Sequence, residues 1–432
     1  MNNSLGILRE EKNKWERRVP LIPNHIRKLK DEHGINAIIQ PSEIRIYPED
    51  EYEKAGAIIN EDLSSTSIIL AIKEISIKYF KPKHTYMFFS HTIKGQKYNM
   101  PMLKKMMELK CNLIDYEKIT DEKSRRLVFF GRYAGLAGMI DTFWAYGQKM
   151  KYNKILTPFE EIKSTIYFHD LNEAKEKLAE IGEKIKTDGL PSSICPLVIG
   201  IAGYGNVSKG VQEILDILPV KEITPTELEF LHKNFSNNFV YKVVFKEEDM
   251  VERISKEKDF DLNEYYKNPE LYQSIFHKYI DKLTILMNCI YWDKQYPRLV
   301  TKDYVSGNFE KIKKLQVIGD ISVDINGAIE FTEKSTTPDN PVFVYNPVKK
   351  IIKDGYAEDG VVVMAVDNLP CELPKESSKE FSNSLIPFIP SIVKADFTKD
   401  FNSVELPNEI KKALILYHGK LTPEYEYINK FL

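Results

Sequence analysis

Short apolar runs punctuate the first third of the chain at Gly6–Arg9, Ala37–Gln40, Ser67–Ile72, Thr85–Phe89 and Asn112–Tyr116. Between them lie stretches with apolar positions at helical spacing, such as Pro23–Glu32 and Met100–Leu109. Strands alternating with helices predict an α/β fold with a mainly parallel, doubly wound sheet. The carboxyl ends of such strands share one edge, and ligands bind there.

A second unit follows. Asn172–Lys186 has the pattern of a charged amphipathic helix, and the turn Asp188–Gly189–Leu190–Pro191 leads to another buried strand, Leu197–Ile201. A glycine-containing segment and a helix, Val211–Leu218, come next. Residues 229–275 are polar and irregular and read as an insertion. Strand-like runs resume at Leu283–Met287, Leu315–Ile318, Val342–Tyr345 and Val361–Val366. The tail from Glu376 reads as helices that return to the first unit. The expected architecture is two Rossmann-like doubly wound domains with a cleft between them. Residues 1–140 would form the catalytic and substrate domain, 141–372 the dinucleotide-binding domain, and 373–432 the returning helices.

The segment Gly203-x-Gly205-x-x-Ser208 sits between a strand and a helix, the context that gives this spacing a meaning. The first glycine makes the tight turn. The second lets the backbone approach a pyrophosphate, and the small Ser208 lets helix and strand pack closely. The helix N-terminus at Asn206, Val207 and Ser208 then faces the phosphates. The residue ending the next strand, near Val220–Pro225, chooses the cofactor, because an acidic group there bonds a ribose 2′-hydroxyl. That corner aligns on Thr224, with Glu222 and Glu227 near enough for a slip of two residues. Thr224 tolerates a 2′-phosphate and Lys221 would help neutralise it. This favours NADPH, with NADH as the alternative. The competing reading makes Thr224 a helix N-cap.

Composition narrows the class. The chain has 432 residues, with 61 Lys+Arg against 63 Asp+Glu, for a net charge of −2. That balance argues against a nucleic-acid binder, which carries a basic excess. The longest apolar run, at 195–203, is about half of what a membrane span needs. No leader is legible before Gly6, which reads as cytoplasmic; a mitochondrial matrix address is the alternative if a presequence has been removed. Cys111, Cys195, Cys289 and Cys371 are scattered and read as free thiols, with no metal site. A homo-oligomer stays open.

Four strand ends of the first unit carry ionisable groups. Lys73 and Glu74 follow one strand, His91 and Lys94 another, and Glu117 a third. Arg9 and Glu10 end the first strand, with Arg17 and Arg18 in the loop beyond. Arg125 and Arg126 add positive charge before Phe130. A lone strand-end lysine or histidine is usually structural. Several on one edge, with arginines suited to bidentate carboxylate binding, suggest a substrate with more than one carboxylate.

These blocks together resemble a known family. GILREE at 6–11 and WERRVP at 15–20 are similar to the opening of the lysine-ketoglutarate reductases, the L-lysine-forming saccharopine dehydrogenases. IKE at 72–74, FFSHTIKGQ at 88–96, IDYEK at 114–118 and FGRYAGLAGMI at 130–140 continue the resemblance. So do GYGNVSKG at 203–210, NCIYWD at 288–293, GDISVD at 319–324 and DNLPCELPKE at 367–376. The pattern looks most like the reductase half of bifunctional alpha-aminoadipic semialdehyde synthase, within the alanine dehydrogenase/transhydrogenase superfamily. The chain stops at Leu432, where that enzyme continues into a saccharopine-oxidising half.

The resemblance implies condensation of L-lysine with 2-oxoglutarate and reduction of the imine to saccharopine by NADPH, as in lysine degradation. Lys73 and His91 match the family's catalytic lysine and histidine. Arg18 and Arg126 match the residues that hold substrate carboxylates, and Phe130 an aromatic beside the keto-acid pocket. Lys94 and Asp324 match groups around the lysine substrate, with Asp320 a competing candidate for the second. Lys73 would need its pKa lowered by burial and positive neighbours, partly opposed by Glu74 and Glu117. The alternatives are another amino-acid dehydrogenase of the superfamily and a cofactor-binding sensor without turnover.

Overall fold

The computed structural model describes residues 3–255 and 258–432. The chain forms two units, one running to Phe130 and joined by Pro374–Leu432, the other spanning Gly131–Leu373.

The first unit opens with six strands: β1 (Ser4–Ile7), β2 (Asn36–Ile39), β3 (Ile58–Ile59), β4 (Ile68–Leu70), β5 (Thr85–Phe88) and β6 (Asn112–Asp115). Helices α1 (Pro23–His33), α2 (Glu49–Lys54) and α3 (Met100–Glu108) connect them. Every residue of β1, β4, β5 and β6 is buried, as expected of parallel strands covered on both faces. In the sheet the order is β6-β5-β4-β1-β2-β3, all parallel. The chain winds outward one way from β1 and the other way from β4. The switch point therefore lies between the carboxyl ends of β1 and β4, the place where open α/β sheets hold ligands.

The second unit begins with α4 (Gly131–Tyr152), a helix buried on most of its surface. The division between units falls at Gly131, ten residues before the expected boundary, because α4 packs along its length inside this unit. Next come α5 (Leu171–Asp188), β7 (Val198–Ala202), α6 (Asn206–Leu215), β8 (Val220–Glu222), α7 (Pro225–Leu228) and β9 (Val240–Phe245). After α8 (Glu247–Met250), the short strands β10 (Val251–Arg253) and β11 (Tyr272–Ser274) form a separate antiparallel ribbon. The main sheet continues with β12 (Ile285–Asn288), β13 (Val317–Asp320), β14 (Val342–Asn346), β15 (Ile351–Asp354) and β16 (Val361–Met364).

Its order is β15-β14-β16-β13-β12-β7-β9-β8; β14 pairs antiparallel with both of its neighbours, β15 and β16, and the other pairings are parallel. The switch point lies between β7 and β12. The strand beside β7 is β9, from the segment read as an insertion; β8 lies outside it at the sheet edge.

The tail holds the helix Pro374–Leu385 and the strands β17 (Leu414–Tyr417) and β18 (Lys420–Leu421), which extend the first sheet antiparallel beyond β6. Among the described residues no helix is long and apolar enough to cross a membrane.

Candidate active site

A cavity of about 360 Å³ opens at the switch point of the first sheet. It is lined by Leu8–Lys12 after β1, by Ala71 and Lys73–Ser76 after β4, and by Tyr79, Tyr98 and Asn99. Glu10 fastens the two strand ends together. Its carboxylate oxygens accept the backbone N–H groups of Ile72 at 2.5 Å and Lys73 at 3.0 Å. Burial, with Glu16 nearby, pushes the Glu10 carboxyl up from its ordinary range.

Lys73 therefore has a fixed backbone and a half-buried side chain. Its ammonium makes no hydrogen bond or ion pair among the described residues. Burial lowers its pKa first, and the positive charges of Arg18 and Lys12 lower it further, against the pull of Glu16 and Glu74.

Glu74 turns to His91. Glu74 Oε1 lies 2.6 Å from His91 Nδ1, and Oε2 accepts from Lys12 Nζ at 2.9 Å. Burial alone would raise this carboxyl, but the bonds from His91 and Lys12 outweigh it and hold Glu74 well below the carboxylate range. His91 has a left-handed backbone, φ 48°, a conformation found at sites where surroundings hold a strained residue in place. Asn99 supplies that hold: its Nδ2 donates to the carbonyls of Ser90 at 3.0 Å and His91 at 3.3 Å. The imidazole stacks on Phe89.

The arginines have different fates. Arg18 is buried, and Glu16 takes its fork in a bidentate pair, with Nε to Oε1 at 2.7 Å and Nη2 to Oε2 at 2.6 Å. The guanidinium lies 4.2 Å from the centre of the Phe130 ring, which stacks in turn on Phe381. Arg126 is exposed and pairs with Glu117. Asp115, at the end of β6, ties these loops together. It accepts the backbone N–H and hydroxyl of Ser90 and the backbone N–H of Glu117. Lys94 is exposed, on the loop after His91. Asp324 belongs to the second unit, in the turn after β13. Near it, Asp320 is buried and accepts from Asn288 at 2.8 Å and Thr332 at 2.6 Å; burial pushes its carboxyl up to about 6.

The structure thus sets Lys73 and Glu74 on one cavity and joins Glu74 to His91, pairs Glu117 with Arg126, and places Arg18 against Phe130. Sequence reasoning missed the parts played by Glu16, Asp115 and Asn99. The strand-end position of Asp115 in IDYEK was the one available signal.

In the second unit the glycine turn lies at the switch point between β7 and β12. Gly203 has φ 95°, and an added Cβ would sit 3.1 Å from Ile290 Cγ2 and 3.2 Å from the Cys289 carbonyl oxygen. A Cβ on Gly205 would meet open space. Gly205 caps α6 without a side-chain bond, so the amides of Asn206, Val207 and Ser208 open the helix toward that space. Ser208 is fully buried, and its hydroxyl accepts from Gln212 at 3.1 Å. Gly210 lets α6 pack closely on α4, where a Cβ would meet the Arg132 carbonyl at 2.1 Å. An uncapped helix end beside an open glycine fits the diphosphate of a dinucleotide.

Thr224 stands elsewhere. It lies two residues beyond the edge strand β8 and forms a capping box with Glu227 at the start of α7. Its hydroxyl serves the helix. Among the described residues no three His, Cys, Asp or Glu side chains gather as metal ligands.

Comparison with known proteins places this geometry. The family "Alanine dehydrogenase/PNT, N-terminal domain" matches residues 6–137, and "Alanine dehydrogenase/PNT, C-terminal domain" matches 199–424. The alpha-aminoadipic semialdehyde synthase of Arabidopsis thaliana is 40% identical over 99% of this chain and 41% of its own length. The mitochondrial synthase of Bos taurus is 35% identical over 99% of this chain and 47% of its own. The chain therefore spans under half the length of those relatives. The saccharopine dehydrogenase [NAD(+), L-lysine-forming] of Yarrowia lipolytica is 26% identical over 90% of this chain and 92% of its own. A solved L-alanine dehydrogenase shares the fold, with a TM-score of 0.62 at 16% identity, covering 99% of this chain and 100% of the other. Two α/β units, with a polar cluster at the switch point of the first and a glycine turn at that of the second, go with both matches: the chain belongs to the alanine dehydrogenase/PNT family.

Proposed function

We propose that the chain is an oxidoreductase that condenses L-lysine with 2-oxoglutarate and reduces the resulting imine to saccharopine with NADPH. The observation that carries this reading is the cluster at the first switch point. There a half-buried lysine amine without an ion pair among the described residues stands beside an imidazole–carboxylate pair.

The substrate ε-ammonium must lose a proton before its nitrogen attacks the keto carbon. Lys73, with its lowered pKa, takes that proton. The carbinolamine then needs a proton on its hydroxyl so that water leaves and the C=N bond forms. His91 supplies it from Nε2, while Nδ1 is held by Glu74. Arg126 binds a substrate carboxylate by exchanging Glu117 for it. Arg18 keeps its bond to Glu16 and acts on Lys73 through charge, making the protonated amine costlier. Residues Gly203–Ser208 hold the diphosphate of the nicotinamide dinucleotide. That cofactor, when bound, supplies the hydride that reduces the imine carbon.

The test is NADPH oxidation followed with L-lysine and 2-oxoglutarate, each omitted in turn. Turnover should require both. The Lys73→Met variant should keep its fold and lose about a hundredfold or more in kcat. Oxidation that is independent of either substrate, or an unimpaired Lys73→Met, would overturn the proposal.

A further inference from the structure

In a dinucleotide-binding sheet the adenosine ribose reaches the carboxyl end of the strand beside the glycine strand, and the residue there reads the 2′ position. Here the sheet order assigns that place to β9. Five residues of β9 pair in parallel with β7, ending at Ala202 opposite Phe245. The backbone N–H of Gly203 donates to the Phe245 carbonyl at 3.0 Å, so the glycine turn is tied to the last residue of β9. The residue that follows is Lys246.

Lys246 is exposed, and its ammonium makes no hydrogen bond or ion pair among the described residues. Its backbone is fixed, because its N–H donates to Asp249 Oδ2 at 2.9 Å. The acidic group that could answer a ribose hydroxyl is Glu247, the next residue, and one of its oxygens is already engaged. Glu247 Oε1 accepts from the Tyr266 hydroxyl at 2.6 Å. Thr224 is separated from β7 by the whole of β9.

We propose that Lys246, at the end of β9 beside the glycine turn, recognises the 2′-phosphate of the cofactor's adenosine ribose and sets a preference for NADPH over NADH. The assignment rests on the reading above that the glycine turn holds a nicotinamide dinucleotide. A lysine at this corner gives a phosphate a charge-assisted bond, whereas a ribose hydroxyl gains little from it. Tyr266, which comes from the same insertion as β9, holds one oxygen of the Glu247 carboxylate.

The experiment is a titration of the full chain with NADPH and with NADH, read by nucleotide fluorescence without lysine or 2-oxoglutarate. The unaltered protein should bind NADPH more tightly. Lys246→Ala should weaken NADPH binding about tenfold or more and change NADH binding by less than about twofold. A charge control on the same insertion, Lys267→Ala, should leave both affinities as they were. Equal affinities for the two nucleotides in the unaltered protein, or an unchanged ratio in Lys246→Ala, would overturn the role of Lys246 alone. Failure of both nucleotides to bind the unaltered protein would overturn the dinucleotide reading, and the Lys246 assignment with it.

Discussion

His91 Nδ1 and Glu74 Oε1 lie 2.6 Å apart, so the carboxylate engages Nδ1 and leaves Nε2 as the nitrogen turned away from Glu74. Two other bonds brace the pair: Lys12 on the second Glu74 oxygen and Asn99 on the His91 carbonyl. Replacing Glu74 by Gln keeps the shape but removes the negative charge that steadies a protonated imidazole. Glu74→Gln should lower kcat about tenfold to a hundredfold with a smaller change in KM, because the loss falls on the proton-transfer step. Steady-state NADPH oxidation with both substrates varied measures this. A change confined to KM would mean that Glu74 only contacts substrate.

Buried Arg18 and Glu16 form a bidentate pair with side chains almost fully shielded from water. Breaking such a pair leaves one charge buried and uncompensated, which costs about 3–5 kcal/mol, whereas removing both partners costs far less. Arg18→Met and Glu16→Leu should therefore each destabilise strongly, and the double variant should recover much of the loss. Urea unfolding of the three variants forms the cycle. Additive losses would show that the two side chains do not depend on each other.

Much of the fold was legible because strands buried on both faces read as apolar runs, as β4, β5 and β6 do. The strand β9 was not. Its centre carries Lys242, which is 4% exposed and pairs with Asp216 and Glu222, each at 2.9 Å. A charge buried by partners distant in sequence makes a core strand look like a polar insertion. Without β9, the strand beside the glycine strand reads as β8, and its corner as Thr224. The lateral order of strands depends on contacts between segments, and local pattern does not encode it.

Residue types after strands pointed to groups that the fold brings to one place, since Glu74 and His91 do meet. Their partners were less so. Arg18 and Arg126 look alike in sequence, yet one is buried on Glu16 and the other exposed on Glu117. What separates them is the acidic neighbour each one finds in the folded chain, a tertiary property.

Gly203 and Gly205 differ in what a methyl group would do. Gly203 has a positive φ and close neighbours, so Gly203→Ala strains the backbone and crowds Ile290 and Cys289. Gly205 has φ −77° and open space around it, so Gly205→Ala is tolerated by the fold and protrudes where a diphosphate would approach. The expected result is a lowered Tm for Gly203→Ala, by about 1–3 kcal/mol of strain. Gly205→Ala should show an unchanged Tm with nucleotide affinity reduced about tenfold. Calorimetry and fluorescence titration on the same samples separate the two. Undiminished nucleotide binding by Gly205→Ala would remove that glycine from the binding surface.

Asp141 on α4 and Glu372 near the end of the second unit are both buried, and burial pushes both carboxyls up; the proximity of Asp141 pushes Glu372 further. Asp141 Oδ1 is anchored by the backbone N–H of Thr165 at 2.7 Å. A carboxyl whose folded pKa lies above its unfolded value binds its proton more tightly when folded. Its contribution to stability is full below the unfolded pKa and is lost as pH rises through the folded one. The second unit should therefore lose stability on the alkaline side of the ordinary carboxylate range, the reverse of what Glu74 produces. There the depressed pKa makes the contribution full above the unfolded value and lost in acid. Glu372→Gln keeps the buried shape without a titrating proton. Its Tm should fall less than that of the unaltered protein as pH rises above the ordinary carboxylate range. Calorimetric scans at intervals above that range measure the slope. Parallel curves for the two proteins would show that Glu372 does not titrate on folding.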